Sequence, residues 1–305
     1  MTINSLLLHF AEDLNTASAI AQAAGMDLAA IARHRFPDGE LKLRLPPELP
    51  SRVVMLRTLN NPDEKLVELL LVARTARTLG AKHLTLVAPY LAYMRQDMAF
   101  QPGEVVSQKV VGHFLADLFD AVITVDPHLH RVATLAEAVP VAQATVLSGA
   151  PLLADLIATH LPQALLVGPD EESAQWVAQA AARHGFDHAV CHKVRNGDRD
   201  VQIVLPDVPV EGRSIVLLDD VASSGHTLSV AARLLLSAGA ASVDVAVTHA
   251  LFAHDAMQVI KDAGIGRVWS TDCISHPSNA VSMAPAIAAA LISQYTYRTH
   301  PLGHL

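Results

Sequence analysis

The chain has 305 residues, 51% hydrophobic and 17% charged, which is enough apolar content for two cores of ordinary domain size and too much for a disordered chain. Its formal net charge of −8 excludes a general nucleic-acid or anionic-membrane surface, because both need clustered Lys and Arg, so an anionic ligand must be held locally. Cys191 and Cys273 are the only cysteines, too few for a disulfide framework or structural zinc, and they fit a reducing, cytoplasmic setting; no stretch reaches the roughly 18 apolar residues of a membrane span.

The opening MTINSLLLHFAEDLN has no basic segment and reads as a first strand, Leu6 to Phe10, not a signal peptide. Asp38-Gly39 within Arg35-Phe36-Pro37-Asp38-Gly39-Glu40 predicts a hairpin turn. After a strand over Arg52 to Leu56 comes a helix with Asn61 as N-cap, Pro62 first, Asp63 and Glu64 at its positive end and Gly80 as C-cap. Leu66, Leu69, Leu70, Ala73 and Ala76 form its apolar stripe, with Glu68, Arg74 and Arg77 off it. Further strands are expected over His83 to Ala88, Ala121 to Val125, Ala164 to Val167, Ser214 to Leu218 and Ser242 to Thr248, and their alternation with helical patterns predicts βα units around parallel sheets. Ser148-Gly149-Ala150-Pro151 is the expected break, dividing the chain into domains 1–149 and 150–305, between which no residue-level repeat is visible.

Ser214 to Thr227, SIVLLDDVASSGHT, is the sharpest local feature: an apolar strand ends in two carboxylates, and a Ser-Ser-Gly-His-Thr turn then opens a helix. Parallel sheets bind ligands at the carboxyl ends of their strands, and a helix N-terminus behind small hydroxyl residues and a glycine suits a phosphate. Asp219 and Asp220 suit two adjacent sugar hydroxyls, although a strand ending in solvated aspartates before an ordinary helix cap has the same spacing. Elsewhere Arg95 offers a planar fork for phosphate oxygens, Gln96 and Asp97 offer hydrogen bonds, and His128 lies at a strand end. His128 and His130 have no neighbouring ligand to complete a zinc site. Asp170 follows a strand; Glu171 and Glu172 behind it either face solvent or add to a metal site. Lys193 and Arg195 open a loop-like stretch, where cations are usually solvated.

The Ser214 to Thr227 segment resembles the ribose-phosphate loop of phosphoribosyltransferases and phosphoribosyl diphosphate synthases, which implies that Asp219 and Asp220 bind ribose hydroxyls and that Ser223, Ser224, Gly225, His226 and Thr227 bind the 5-phosphate. Pro89 to Arg131 resembles a segment that separates synthases from transferases, with Arg-Gln-Asp after one strand and Asp-x-His after the next. The Phe-x-Asp-Gly-Glu run, Pro-Asp at Asp170, the Lys-x-Arg pair and STDCISHPSNAVSMAP extend the likeness to the synthase family over nearly the whole chain.

The resemblance implies two tandem phosphoribosyltransferase-like α/β domains, the last ~15 residues packing back on the first. The activity it implies is transfer of the diphosphoryl group of MgATP to ribose 5-phosphate, for nucleotide biosynthesis. Phe36, Asp38 and Glu40, contributed to a neighbouring subunit, would contact adenine; Arg95, Gln96, Asp97 and His128 would hold ATP; His128 and Asp170 would place Mg²⁺; Lys193 and Arg195 would stabilise the transition state. The protein would then be a homo-oligomer, at least a dimer, with tetramer and hexamer open. The competing readings are a phosphoribosyltransferase, which leaves the Arg95 to His128 segment unexplained, and a non-catalytic regulatory subunit, suggested by the departures at Pro37, Glu171, Glu172 and His226.

Overall fold

A computed structural model describes residues 5–129, 131–195 and 201–296, the side chains of residues 194, 195, 201, 202, 295 and 296 excepted. The chain divides into two compact units, one of residues 1–147 with 283–305 and one of residues 148–282.

The first unit begins with β1 (Ser5–His9), α1 (Leu14–Ala24), β2 (Asp27–Ala30), a hairpin of β3 (Ala32–Arg35) and β4 (Leu41–Arg44), and β5 (Arg52–Leu56). It continues with α2 (Pro62–Thr78), β6 (His83–Ala88), α3 (Ser107–Leu118), β7 (Ala121–Val125), the short α4 (Leu135–Ala138) and β8 (Gln143–Leu147). Six of these strands form a sheet in the order β2-β1-β5-β6-β7-β8, parallel throughout. The central strands are Val-, Leu- and Ile-rich and buried along nearly their whole length, as strands covered on both faces must be.

The second unit runs α5 (Ala150–His160), β9 (Leu165–Gly168), α6 (Ala174–His184), β10 (His188–Val190), a hairpin of β11 (His192–Arg195) and β12 (Val201–Val204), and β13 (Ser214–Ala222). After it come α7 (His226–Ser237), β14 (Ser242–Ala250), α8 (Ala256–Asp262), β15 (Val268–Thr271) and β16 (Asn279–Val281). Its parallel sheet has the order β10-β9-β13-β14-β15-β16, which repeats the strand order of the first unit, with a hairpin in the same place after the second sheet strand. Alternation along β13 sends Ile215 and Leu217 into a core with α7 and α8, and Val216 and Leu218 into a core with α5 and α6.

The last helix, α9 (Ala284–Thr296), belongs to the first unit, where it packs on α1 and β8 and buries Ile287, Ala288 and Leu291. Gln294 donates to Thr145 Oγ1 of β8 at 3.1 Å.

Two local expectations for α2 need correction. Asn61 has a left-handed backbone, φ 51°, and makes no side-chain cap. Leu70 is 37% exposed, whereas Glu68, read as off the apolar stripe, is fully buried because Arg57 Nη2 and Arg33 Nη1 reach its two oxygens at 2.5 and 2.6 Å. Among the described residues no helix is long and apolar enough to cross a membrane.

Candidate active site

In the second unit, β13 runs farther than β9: the last pair between them is Leu217 with Val167, so Asp219 and Asp220 extend past the point where β9 ends and turns into Pro169-Asp170. A Cβ on Gly168 would lie 2.2 Å from Ser173 Oγ, so only glycine allows this tight exit. Ser173 Oγ bonds the Asp170 carbonyl at 2.6 Å, and the Asp170 side chain accepts from the Glu172 amide at 3.1 Å.

Asp170, Asp219 and Asp220 therefore concentrate negative charge at the strand ends. Asp170 and Asp220 are buried, and the Asp220 amide donates to Asp219 Oδ1 at 2.9 Å. Loss of water first, then the charges of Asp220 and Asp170, push Asp219 well above the ordinary carboxylate range. Lys193, in the first strand of the hairpin, answers this charge with Nζ 2.5 Å from Asp170 Oδ2. Glu171 is exposed yet structural, since both its oxygens accept the Lys193 amide, at 3.1 and 3.2 Å, and one meets His192 Nδ1 at 3.1 Å. Cys191 next to the cluster is buried, and burial with the charges of Asp170 and Glu171 pushes its thiol up to about 12, which rules it out as a thiolate nucleophile near neutral pH. The Arg195 side chain and His130 lie outside the described residues.

Beyond the carboxylates, Ser223 and Ser224 lead to Gly225, which stands as N-cap of α7 with φ 72° and no side-chain cap, and no acidic residue occupies the first turn of the helix. A Cβ on Gly225 would also meet Ile260 Cγ1 at 3.0 Å, so α8 and the left-handed backbone both require glycine. The loop is backed by Phe252 and Ala253, whose amides donate to the carbonyls of Ala222 and Ser223 at 2.9 and 3.0 Å. Ser224 and His226 are exposed, and Ser223 and Thr227 partly so. The result is a rigid turn with exposed hydroxyls at the positive end of a 12-residue helix, one step beyond a carboxylate pair.

In the first unit, the turn after β6 is anchored by buried Leu91, Ala92 and Met94, and Gln108 of α3 donates from its side chain to the Met94 carbonyl at 3.0 Å and from its amide to the Gln96 carbonyl at 3.2 Å. These anchors leave Arg95 exposed and Gln96 half-buried, while Asp97 is buried against Arg131. His128 follows the adjacent strand β7 and is half-buried. Phe36, Asp38 and Glu40 occupy the exposed turn between β3 and β4, with Asp38 Oδ1 accepting the Glu40 amide at 3.1 Å. Arg33 and Arg35 tie this hairpin to Glu68 and Glu64 of α2.

The structure thus brings Asp170, Lys193, Asp219 and Asp220 together, beside the Ser223 to Thr227 turn, and groups Arg95, Gln96, Asp97 and His128 at the carboxyl edge of the other sheet. The two residues expected to place a metal, His128 and Asp170, belong to different units, and among the described residues no group of three or more metal-ligating side chains is present. Gln108 and Arg131 were missed by sequence reasoning: each works through a partner distant in sequence, which spacing does not reveal.

Two parallel sheets of one strand order, one ending in a carboxylate pair before a glycine-capped helix, define a protein of the phosphoribosyltransferase fold class. Residues 6–118 match the N-terminal domain of ribose phosphate pyrophosphokinase and residues 142–285 the phosphoribosyl transferase domain. A ribose-phosphate pyrophosphokinase of Methanopyrus kandleri is 34% identical over 290 residues, covering 94% of this chain and 98% of the relative. Ribose-phosphate pyrophosphokinase 1 of Archaeoglobus fulgidus is 37% identical over 276 residues, covering 89% and 94%. The crystal structure of phosphoribosylpyrophosphate synthetase from Mycobacterium smegmatis superposes with a TM-score of 0.84 over 97% of this chain and all of that one, at 23% identity, which speaks for the fold. The chain belongs to the ribose-phosphate pyrophosphokinase family.

Proposed function

We propose that the protein transfers the diphosphoryl group of MgATP to the 1-hydroxyl of ribose 5-phosphate, giving phosphoribosyl diphosphate and AMP. The observation that carries this reading is a whole-length family match in which a second α/β unit, bearing Arg95, Gln96 and His128 on its carboxyl edge, accompanies the unit that carries the carboxylate pair and glycine-capped helix. A phosphoribosyltransferase needs only the latter.

In this reading the Ser223 to Thr227 turn holds the 5-phosphate through backbone amides and hydroxyls, and Asp219 and Asp220 accept from the ribose hydroxyls. The rigid backing from Phe252, Ala253 and α8 fixes the sugar, and fixing the nucleophile supplies much of the catalysis that this chemistry needs. Arg95, Gln96 and His128 hold ATP. Lys193 leaves Asp170 for the oxygens of the transferring group and, with Arg195, offsets the charge developing there.

Mg²⁺ suits the Asp170 end of the site: a buried carboxylate is a hard oxygen donor, and a magnesium ion held by one or two carboxylates completes its shell with substrate phosphates and water. When bound, it supplies charge neutralisation on the phosphates. We assign the hairpin turn of Phe36, Asp38 and Glu40 to adenine recognition in a neighbouring subunit of a homo-oligomer, and the protein to the cytoplasm.

The test is incubation of purified protein with MgATP and ribose 5-phosphate. AMP and phosphoribosyl diphosphate in equal amounts are expected. Formation of ADP alone, or no turnover across a range of Mg²⁺ and inorganic phosphate, would overturn the proposal, and diphosphate release that depends on a base and not on ATP would replace it with a phosphoribosyltransferase.

A further inference from the structure

Asp97 and Arg131 lie 34 residues apart, after the adjacent parallel strands β6 and β7, and fold into one unit of hydrogen bonding. The Asp97 side chain is 1% exposed and spends both oxygens on one partner: Oδ1 accepts from Arg131 Nη1 at 2.6 Å and Oδ2 from the Arg131 amide at 3.1 Å. At 1% exposure the carboxylate faces Arg131 and not the solvent. Its effect is to fix both the backbone and the guanidinium of that residue.

Arg131 itself keeps 52% of its side chain open to solvent, and its guanidinium carbon stands 5.8 Å from the ring centroid of Phe100, which is 70% exposed. An arginine at a surface ordinarily retains most of its rotamer freedom, and ordering it costs conformational entropy on binding. A buried carboxylate on one edge and an aromatic face beneath remove that cost beforehand. Since the ion pair as a whole is neutral, the arrangement does not attract anions at long range. It presents a planar, pre-oriented set of N–H donors, the geometry that bidentate recognition of phosphate requires. The same carboxyl edge carries exposed Arg95 and half-buried His128.

Resting on the reading of the first unit as the ATP-binding one, we propose that Arg131 binds the polyphosphate chain of the nucleotide and that Asp97 is a positioning residue acting through it.

The experiment is calorimetric titration of the full-length protein with MgATP and, separately, with adenosine, for wild type, Arg131→Ala, Arg131→Lys and Asp97→Asn, alongside steady-state AMP formation. Arg131→Ala is expected to weaken ATP roughly 10- to 100-fold, the range for a hydrogen bond to a charged group, with adenosine affinity held within about twofold. Arg131→Lys keeps the buried carboxylate paired, so folding is preserved, yet loses the planar fork; it should weaken ATP by a smaller factor at an unchanged unfolding midpoint. Asp97→Asn should shift ATP affinity in the same direction and add nothing further when combined with Arg131→Ala. ATP affinity unchanged in Arg131→Ala and Arg131→Lys, or an equal loss for adenosine, would overturn the inference and leave the pair a structural tie. Failure of the proposed reaction shows differently, as absence of AMP formation in the wild type.

Discussion

The third strand of each sheet makes an instructive pair. Both β5 and β13 lie between the first and fourth sheet strands of their units, and both are followed by a loop and a helix. In the first unit the position after β5 is Arg57, 1% exposed and bonded to Glu12, Asp13 and Glu68. Lys65 fills the loop behind it, with Nζ on the Thr58 carbonyl at 2.8 Å and on Asn60 Oδ1 at 2.7 Å, and α2 opens with Pro62, Asp63 and Glu64, which place negative charge at its positive end. In the second unit the matching strand carries Asp219 and Asp220 in its second half, before Val221 and Ala222, the loop carries exposed hydroxyls, and the first turn of α7 has no acid. One topology therefore yields a strand end closed by its own ions and another whose helix terminus is open to an anion. Side chains at a few positions make that difference, and the fold permits both.

The comparison can be broken at several points. The largest effect is expected from Glu68→Ala, which leaves Arg57 buried beside fewer carboxylates and should cost about 3–5 kcal/mol of unfolding free energy, measured by denaturant titration. A loss under about 1 kcal/mol would mean that water or other carboxylates compensate and that the first unit is not closed by this pair. Next is Lys193→Ala, expected to lower kcat by roughly 10²–10³ with both KM values nearly unchanged. An unchanged kcat would confine Lys193 to its contact with Asp170. Gly225→Ala forces a left-handed alanine and a contact with Ile260, so a stability loss of about 1–2 kcal/mol is expected, with a raised KM for ribose 5-phosphate and none for ATP. A rise in the ATP KM instead would detach the turn from the sugar phosphate.

The smallest effect concerns Asp219. Its folded pKa is raised, so above the ordinary value of 3.8 the unfolded chain ionises first and folded stability falls as pH rises toward the folded pKa; below 3.8 the difference disappears. Asp219→Asn should remove this loss, raising the unfolding midpoint near neutral pH and leaving it little changed in acid. A midpoint lowered at neutral pH would show that the carboxylate is stabilised by partners and not crowded by them.

Much of the fold follows from local pattern. The buried runs of β1, β5, β6, β7, β9, β13 and β14 stand out because strands covered on both faces must be apolar throughout, and the carboxylate-to-glycine segment stands out because its chemistry lies within one stretch of chain. The edge strands β2 and β8 did not, since an edge strand buries less and DLAA and QATVL carry little apolar signal. The repeat between the units was invisible for a related reason: strand order and hairpin placement recur while Arg57 after β5 stands against Asp219 and Asp220 of β13.

The sequence by itself determined the α/β class, the positions of the central strands and the make-up of the ribose-loop segment, because each depends on residues close together in the chain. Only the tertiary structure decided that Glu68 is buried on Arg33 and Arg57, that Asp97 holds Arg131, and that Lys193 rests on Asp170. A charged side chain reads as solvated until its partner is known. In each of these pairs the partner comes from another element of the chain, so burial, pairing and the direction of every donor depend on how strands and helices meet.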